Sequence, residues 1–103
     1  MNIKEAIAKQ QENWAKRARD GRYHAELRCQ FCLYMEEIDP GGSCGVCPVR
    51  VVLGHCGALD SVTEWGMADT RKQYAEAARA VLEDVNRIAR HYHCKVVPLP
   101  PTP

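Results

Sequence analysis

Five of the six cysteines lie between positions 29 and 56, and four of these form two C-x-x-C pairs. Cys29 and Cys32 make the first pair, Cys44 and Cys47 make the second, and eleven residues separate them. Two such pairs are typical of a tetrahedral zinc site in which two tight turns present four thiolates. The spacing therefore predicts a metal ion held by these four side chains in a zinc-ribbon-like insert.

Cys56 is a fifth candidate, because five cysteines then compete for four positions. It either packs as a small buried side chain or replaces one member of the predicted set. Four thiolates also hold iron–sulfur clusters, so a cluster is the alternative cofactor to zinc. Cys94 lies far away in sequence, next to His93, and there a packing role is favoured.

With 103 residues, the chain is expected to form one domain with a modest core. A structural zinc ion can contribute about 10–16 kcal/mol of apparent binding free energy, so the metal would decide whether the central segment folds. No apolar stretch is long enough for a signal peptide or a membrane span. The cytoplasm is therefore the predicted compartment, and in its reducing conditions paired cysteines are more often metal ligands than disulfides.

The two ends of the chain have the apolar periodicity of helices. Residues 3–19 are predicted to form an N-terminal helix with Asn2 as its N-cap and Gly21 at its end. A longer C-terminal helix is predicted within residues 61–93, starting at a capping box that either Thr70 or Ser61 can provide. The small residues on its apolar face favour close packing against another helix, most simply the N-terminal one.

Together these patterns predict a mainly α fold with some α+β character. Residues 1–97 form a single domain, made of an N-terminal helix in 1–22, a cysteine-rich metal-binding insert in 23–60 and the long helix in 61–93. Two short strands are considered, at residues 49–53, where a helix is equally compatible, and as an edge strand at residues 93–97. Residues 98–103 are a proline-rich tail that is expected to be polyproline-like and to have no role in the fold.

Charge is distributed in blocks along the chain. Residues 1–28 carry seven basic and four acidic side chains, residues 29–70 one and six, and residues 71–103 six and three. An acidic centre that also carries thiolates does not favour phosphate, so a nucleic-acid interface is expected only on the basic flanks. The candidate residues for that interface, or for binding another partner, are Lys16, Arg17, Arg19, Arg22 and Arg28.

The cysteine pattern also resembles that of a class of small cysteine-rich proteins of bacteriophages and prophages. The resemblance extends over roughly residues 23–90 and is carried by Cys29-x-Phe-Cys32, Cys44-Gly-Val-Cys47-Pro48-Val49, the Gly54-x-Cys56 step and Trp65. It implies a small metal-binding protein that acts on host machinery in the host cytoplasm. It supplies no catalytic residues.

The sequence therefore predicts a small zinc-binding protein whose metal is structural and whose helices bind a protein partner or a second copy of the chain. No nucleophile, base and oxyanion donor can be assembled from the sequence, so an enzyme is not predicted and no small-molecule substrate is inferred. Two alternatives stay open. One is a nucleic-acid-binding zinc protein that uses the basic flanks, and the other is an iron–sulfur redox protein.

Overall fold

A computed structural model describes residues 2–24, 26–38, 47–54 and 60–101, with residues 60 and 61 described for their backbone alone. Within these ranges the chain is mainly helical and contains no strand. None of the described helices is both long enough and apolar enough to cross a membrane. The helices, in chain order, are α1 Ile3–Asp20, α2 Gln30–Ile38, α3 Pro48–Leu53, α4 Asp60–Gly66 and α5 Arg71–His91.

Helix α1 begins and ends at the predicted residues. The Asn2 side chain accepts a hydrogen bond of 2.8 Å from the Glu5 amide, which satisfies one of the free N–H groups at the helix start. Gly21 ends the helix in the left-handed conformation, with φ of 65°. A side chain at Gly21 would also overlap the carbonyl of Arg71, so this glycine lets the end of α1 approach the start of α5.

Of the two capping boxes considered for the long C-terminal helix, Thr70 provides the one found, so α5 begins after Thr70 and residues 60–66 form the separate helix α4. The break follows from the Thr70 capping box, in which the Thr70 hydroxyl accepts from the Gln73 amide at 3.1 Å. The Gln73 side chain in turn accepts from the backbone N–H groups of Thr70 and Asp69. Because these N–H groups bond to a side chain, they are not used to continue α4 into α5.

The core lies between α1 and α5. Helix α5 buries a continuous apolar face, whose residues include Ala78, Val81, Leu82, Val85 and Ile88. Ile7 and Trp14 are the large buried side chains that α1 contributes opposite this face. The predicted packing of the two terminal helices against each other is therefore confirmed.

Two buried amide side chains connect these helices to the chain that follows α5. Gln11 donates to Asn86 Oδ1 at 3.0 Å and to the carbonyl of Lys95 at 2.9 Å. Asn86 in turn donates to the Val97 carbonyl at 2.8 Å and accepts from the Val97 amide at 3.0 Å. One side-chain amide thus pairs with a backbone in the way that a neighbouring strand would.

These bonds correct two predictions about the C-terminal segment. Residues 93–97 do not form an edge strand, because their backbone groups pair with side chains of α1 and α5. The following residues were expected to have no role in the fold, yet Leu99 packs against the core and Pro100 is buried. Buried amides therefore anchor the backbone at Lys95 and Val97, just before the prolines, and local sequence does not reveal this.

The described part of the cysteine-rich insert contains two helices, α2 and α3, and no strand. Residues 30–38 form α2 directly after Cys29, and residues 48–53 form α3 directly after Cys47. For residues 49–53 the helix, one of the two alternatives, is therefore correct. Pro48 suits the first turn of a helix because its φ is already helical, and Gly54 ends α3 with φ of 86°.

The predicted turn around Cys29 and Cys32 is also replaced by the start of a helix. No glycine separates these two cysteines, and Phe31 between them is buried in the core with 1% of its surface exposed. The first turn of α2 places the Phe31 side chain in the core. Cys44 and Cys56 lie outside the described residues.

Candidate metal centre and the adjoining cavity

A cavity of about 350 Å³ lies where α1, α5 and the shorter helices meet. Three of the predicted metal ligands, Cys29, Cys32 and Cys47, line it. Its other walls are mostly apolar and aromatic side chains. The structure therefore brings the described members of both C-x-x-C pairs to the same cavity.

Cys29 and Cys32 are positioned by the start of α2. Cys29 immediately precedes the helix, and its carbonyl accepts from the Leu33 amide at 3.3 Å. Residues three apart on a helical turn are neighbours on the same face, so the two thiols can point toward the same space. Both residues are exposed, which leaves their sulfurs accessible from solvent.

Gln10 connects the first cysteine to α1. Its Oε1 accepts from the Gln30 amide at 2.9 Å, and its Nε2 lies 3.9 Å from Cys29 Sγ, with the nitrogen as donor. Gln10 itself is only 6% exposed. A buried amide that donates to sulfur stabilises a thiolate, and such outer-shell donors orient metal ligands. This contact joins residues nineteen positions apart and was not predicted from the sequence.

Cys47 is the residue before α3 and is buried, with 4% of its surface exposed. Its carbonyl accepts from the Val51 amide at 2.9 Å, as the first hydrogen bond of the helix. Tyr92, which follows the end of α5, is close enough to Cys47 for the two side chains to interact electrostatically. Burial, together with the nearby Tyr34 and Cys47, raises the pKa of the Tyr92 hydroxyl.

Among the residues that the structure describes, no group of three or more His, Cys, Asp or Glu side chains has the arrangement needed to hold a metal ion. Cys44 and Cys56, the two candidates that lie outside those residues, have no described position. Cys94 is half-buried at the far end of α5, packs against the core and donates to the Tyr92 carbonyl at 3.6 Å. This environment is compatible with the packing role expected for it.

An aromatic cluster also lines the cavity. The rings of Trp14 and Trp65 meet edge to face with centroids 5.0 Å apart, and Tyr23 stacks on Trp65 at 4.6 Å. The Arg17 guanidinium lies over both indoles, 4.3 Å from the Trp14 centroid and 4.7 Å from that of Trp65. Cation–π contacts of this kind favour a fixed position for the charge.

Arg17 also holds the loop that leads to Cys29. Its guanidinium donates to the carbonyls of Tyr23 and His24, each at 3.2 Å, and of Leu27 at 2.9 Å. Burial lowers the pKa of Arg17, while the negative charge of neighbouring groups, Cys29 among them, acts in the opposite direction. Arg17 therefore stabilises the loop between α1 and α2 from inside the protein.

This burial corrects part of the predicted basic surface. Arg17 was one of five residues proposed for nucleic-acid or partner binding, and with 6% exposure it is not available to an external phosphate. Of the others, Arg28 faces Glu36 at 3.9 Å. The members of the run that remain exposed are Lys16, Arg19, Arg22 and Arg28.

His24 connects two carboxylates beside this loop. Its Nε2 lies 2.6 Å from Asp20 Oδ2, and its Nδ1 lies 3.1 Å from Glu26 Oε1. Partial burial raises the pKa of Asp20, but hydrogen bonds from the Arg22 amide and from His24 outweigh it, and the net pKa is lowered. The pKa of Glu26 is also lowered, by a backbone hydrogen bond and by His24.

Comparison of the chain with protein-family models, with curated proteins and with solved structures gives no match in any of the three. We therefore infer function from the cysteines, the cavity and the charged surfaces described above.

Proposed function

We propose that this chain is a small zinc-binding protein that acts as a protein-interaction module, with a metal site that is structural. The observation that carries the proposal is that Cys29, Cys32 and Cys47 line one cavity. The zinc ligands are these three thiolates and a fourth from Cys44, with Cys56 as the alternative. Four thiolates and no open position are characteristic of structural zinc.

The donor chemistry around these cysteines supports a thiolate site. Deprotonated cysteines need positive charge or N–H donors, and here Gln10 donates to Cys29 while Arg17 is close enough to interact with it electrostatically. Four thiolates around one divalent cation leave a net negative charge. The buried guanidinium and the buried amide both compensate that charge.

A structural role agrees with the small core of the central segment. Phe31 is the one residue of α2 that is fully buried, and Pro48 is the one of α3. Such short helices are marginal by themselves, and a metal that joins their first turns would order both at once. The zinc ion would therefore stabilise a surface for binding without taking part in a reaction.

The interaction surface that the described residues favour lies at the junction of α4 and α5. Met67 there is 76% exposed, more than any other large apolar side chain of the described residues. It borders a groove of about 360 Å³ that is also lined by Glu64, Asp69 and Glu76. This combination of one exposed apolar side chain and several carboxylates fits a protein partner that presents a basic segment.

The resemblance to phage proteins extends this proposal to a host factor as the partner, in the host cytoplasm. The competing role in nucleic-acid binding is less well supported, because Arg17, which lies in the middle of the basic run, is buried. Charge reversal of Glu64 and Asp69 to lysine should abolish binding of a lysine-rich amphipathic peptide, measured by fluorescence anisotropy. Self-association, measured by analytical ultracentrifugation, would identify a second copy as the partner instead.

Elemental analysis of the purified chain tests the metal site. We expect about one zinc ion per chain, lost in the variants Cys29→Ser, Cys32→Ser, Cys44→Ser and Cys47→Ser. Cys94→Ser is the matched control and should keep its zinc. If Cys44→Ser keeps zinc and Cys56→Ser loses it, Cys56 is the fourth ligand.

Two results would contradict the zinc proposal. Full zinc content in Cys47→Ser would show that Cys47 is not a ligand, although it is the described member of the second pair that lines the cavity. A brown protein that contains iron and sulfide would replace zinc with a cluster. As a further check, Gln10→Ala should weaken zinc binding by roughly tenfold to a hundredfold, the usual effect of losing an outer-shell donor.

A further inference from the structure

The two cysteines of the first pair differ from Cys47 in their exposure. Cys29 and Cys32 are both exposed, whereas Cys47 is buried and belongs to the core. A thiolate that ligates zinc is still a nucleophile, and an oxidant modifies the cysteines that it can reach. An oxidant dissolved in the surrounding water therefore reaches the first pair before it reaches Cys47.

The backbone holds Cys29 and Cys32 at a spacing that suits a disulfide. Cys29 immediately precedes α2, and its carbonyl accepts from the Leu33 amide at 3.3 Å, so the two cysteines share the first turn. The radius and rise of an α-helix place Cα atoms three residues apart about 5 Å from each other. Disulfides join residues whose Cα atoms are about 4.4–6.8 Å apart. Closure of this pair therefore requires rotation of the side chains and no movement of the helix.

Contacts that do not involve a metal hold this turn in place. Gln10 Oε1 accepts from the Gln30 amide at 2.9 Å, and Gln10 Nε2 lies 3.9 Å from Cys29 Sγ. Phe31, which lies between the two cysteines, is buried in the core. These contacts join the start of α2 to α1 and to the core, so the pair keeps its spacing as zinc leaves.

We propose that Cys29 and Cys32 form a redox switch, in which a peroxide oxidises them to a disulfide and thereby releases the zinc ion. This inference rests on the proposed function, because it needs a zinc ion that the first pair holds together with Cys47. Zinc that loses two of its four ligands at once dissociates, and α2 and α3 are then no longer joined through the metal. The switch adds regulation by an oxidant to a metal that is otherwise structural.

The reaction balances with one hydrogen peroxide for each pair of thiolates. One thiolate sulfur attacks a peroxide oxygen, so that an S–O bond forms, the O–O bond breaks and hydroxide leaves, which gives a sulfenic acid. The other thiolate attacks that sulfur, so that the S–S bond forms, the S–O bond breaks and a second hydroxide leaves. The two thiolates lose two electrons to the peroxide, and both hydroxides take protons from the solvent to become water.

Zinc release and thiol oxidation are measured on the same sample. Hydrogen peroxide is added to protein whose zinc content is known, and a chromogenic chelator reports the zinc that is released. We expect about one zinc ion for every two thiols lost. Dithiothreitol and added zinc should then restore the metal content, because the disulfide is reversible.

Differential labelling identifies the oxidised cysteines. Thiols that are still reduced are blocked with iodoacetamide, and those that were oxidised are then reduced and labelled with N-ethylmaleimide. A glutamate-specific protease separates the first pair from Cys44 and Cys47, because Glu36 and Glu37 lie between the two pairs. Mass spectrometry should find the second label on the peptide that contains the first pair.

Two histidine variants form a matched comparison, because histidine also ligates structural zinc. Cys32→His cannot form the disulfide, so peroxide should release its zinc about tenfold more slowly than it does from the unsubstituted protein. Cys47→His leaves the first pair intact and should release zinc as the unsubstituted protein does. Cys94→Ser, outside the proposed ligand set, should also behave like the unsubstituted protein.

Three outcomes would overturn the proposal. These are zinc-loaded protein that keeps its zinc in peroxide, the second label on Cys44 and Cys47 alone, and equal zinc release from Cys32→His and the unsubstituted protein. If the histidine variants fail to fold, the labelling of the unsubstituted protein still decides the matter. Protein that holds no zinc before peroxide is added would contradict the proposed metal site instead, and its labelling would still show whether Cys29 and Cys32 form the disulfide.

Discussion

The pair formed by α1 and α5 and the pair formed by α2 and α3 differ in how they are stabilised. Nine residues of α5 are buried, among them Leu82 and Ile88, whereas α2 buries Phe31 alone. The two long helices are also joined by the buried Gln11 and Asn86 amides. The two short helices each begin beside a cysteine that lines the cavity.

This difference indicates that the two pairs of helices are stabilised by different interactions. Apolar burial of about 25 cal/mol per Å² stabilises the long helices by their own contact, without any bound group. The short helices have too little buried surface to be independently stable, so they depend on the long pair as a platform and, in our proposal, on zinc. Substitutions in the two regions should therefore have unequal effects, and each prediction below tests that inequality.

The largest effect is expected from a truncation in the long pair. Leu82 is fully buried, so Leu82→Ala should lower the free energy of unfolding by about 2–5 kcal/mol through lost burial and a new cavity. Val49→Ala in α3, at a half-buried position, should cost about 1 kcal/mol. Urea unfolding followed by circular dichroism measures both, and equal losses would contradict the comparison.

A smaller effect is expected where the C-terminal segment is anchored. Asn86→Leu removes the two bonds to Val97 and one from Gln11, and should cost about 1–3 kcal/mol because backbone groups are left without partners. Carboxypeptidase should then digest the segment after α5 faster than in the unsubstituted protein. Asn13→Ala, which removes an exposed bond to the Arg28 carbonyl, is the control and should change stability by less than about 0.5 kcal/mol. Similar digestion rates in the two variants would show that the amide pair does not hold the segment.

The smallest effect concerns the loop between the two regions. The pKa of Asp20 is lowered in the folded protein, so its stabilising contribution is complete above the ordinary pKa of 3.8 and is lost as the pH falls through the folded value. His24→Asn removes the histidine while tolerating the left-handed backbone, with φ of 51° at this position. The loss of stability in acid, followed by the thermal midpoint between pH 5 and roughly pH 3, should become shallower in this variant. An unchanged acid profile would show that His24 does not stabilise the charged form of Asp20.

Much of the fold could be predicted from local sequence signals. Asn2, Gly21 and Thr70 mark helix ends by their own conformational and hydrogen-bonding preferences, and each marks an end in the structure. The apolar spacing in α5 correctly identified its buried face. These signals succeed because a cap or an amphipathic face depends on residues within a few positions of each other.

The candidate site was only partly predictable for the opposite reason. The sequence picks out Cys29, Cys32 and Cys47 by their spacing, but nothing local shows that Gln10 approaches the first of them from α1. Arg17 has the appearance of one member of an exposed basic run, yet two indoles and three carbonyls enclose it. Burial of a polar side chain depends on partners far away in sequence, which periodicity does not reveal.

The sequence by itself determined the two long helices and singled out the two C-x-x-C pairs as the proposed metal ligands, because spacing and capping act over a few residues. Tertiary structure alone decided that Asn86 anchors Val97, just before the proline-rich tail, that Arg17 is buried, and that Trp14 and Trp65 line a cavity. The physical reason is that these features depend on contacts between residues distant in the chain. Such contacts exist only once α1 and α5 have packed together.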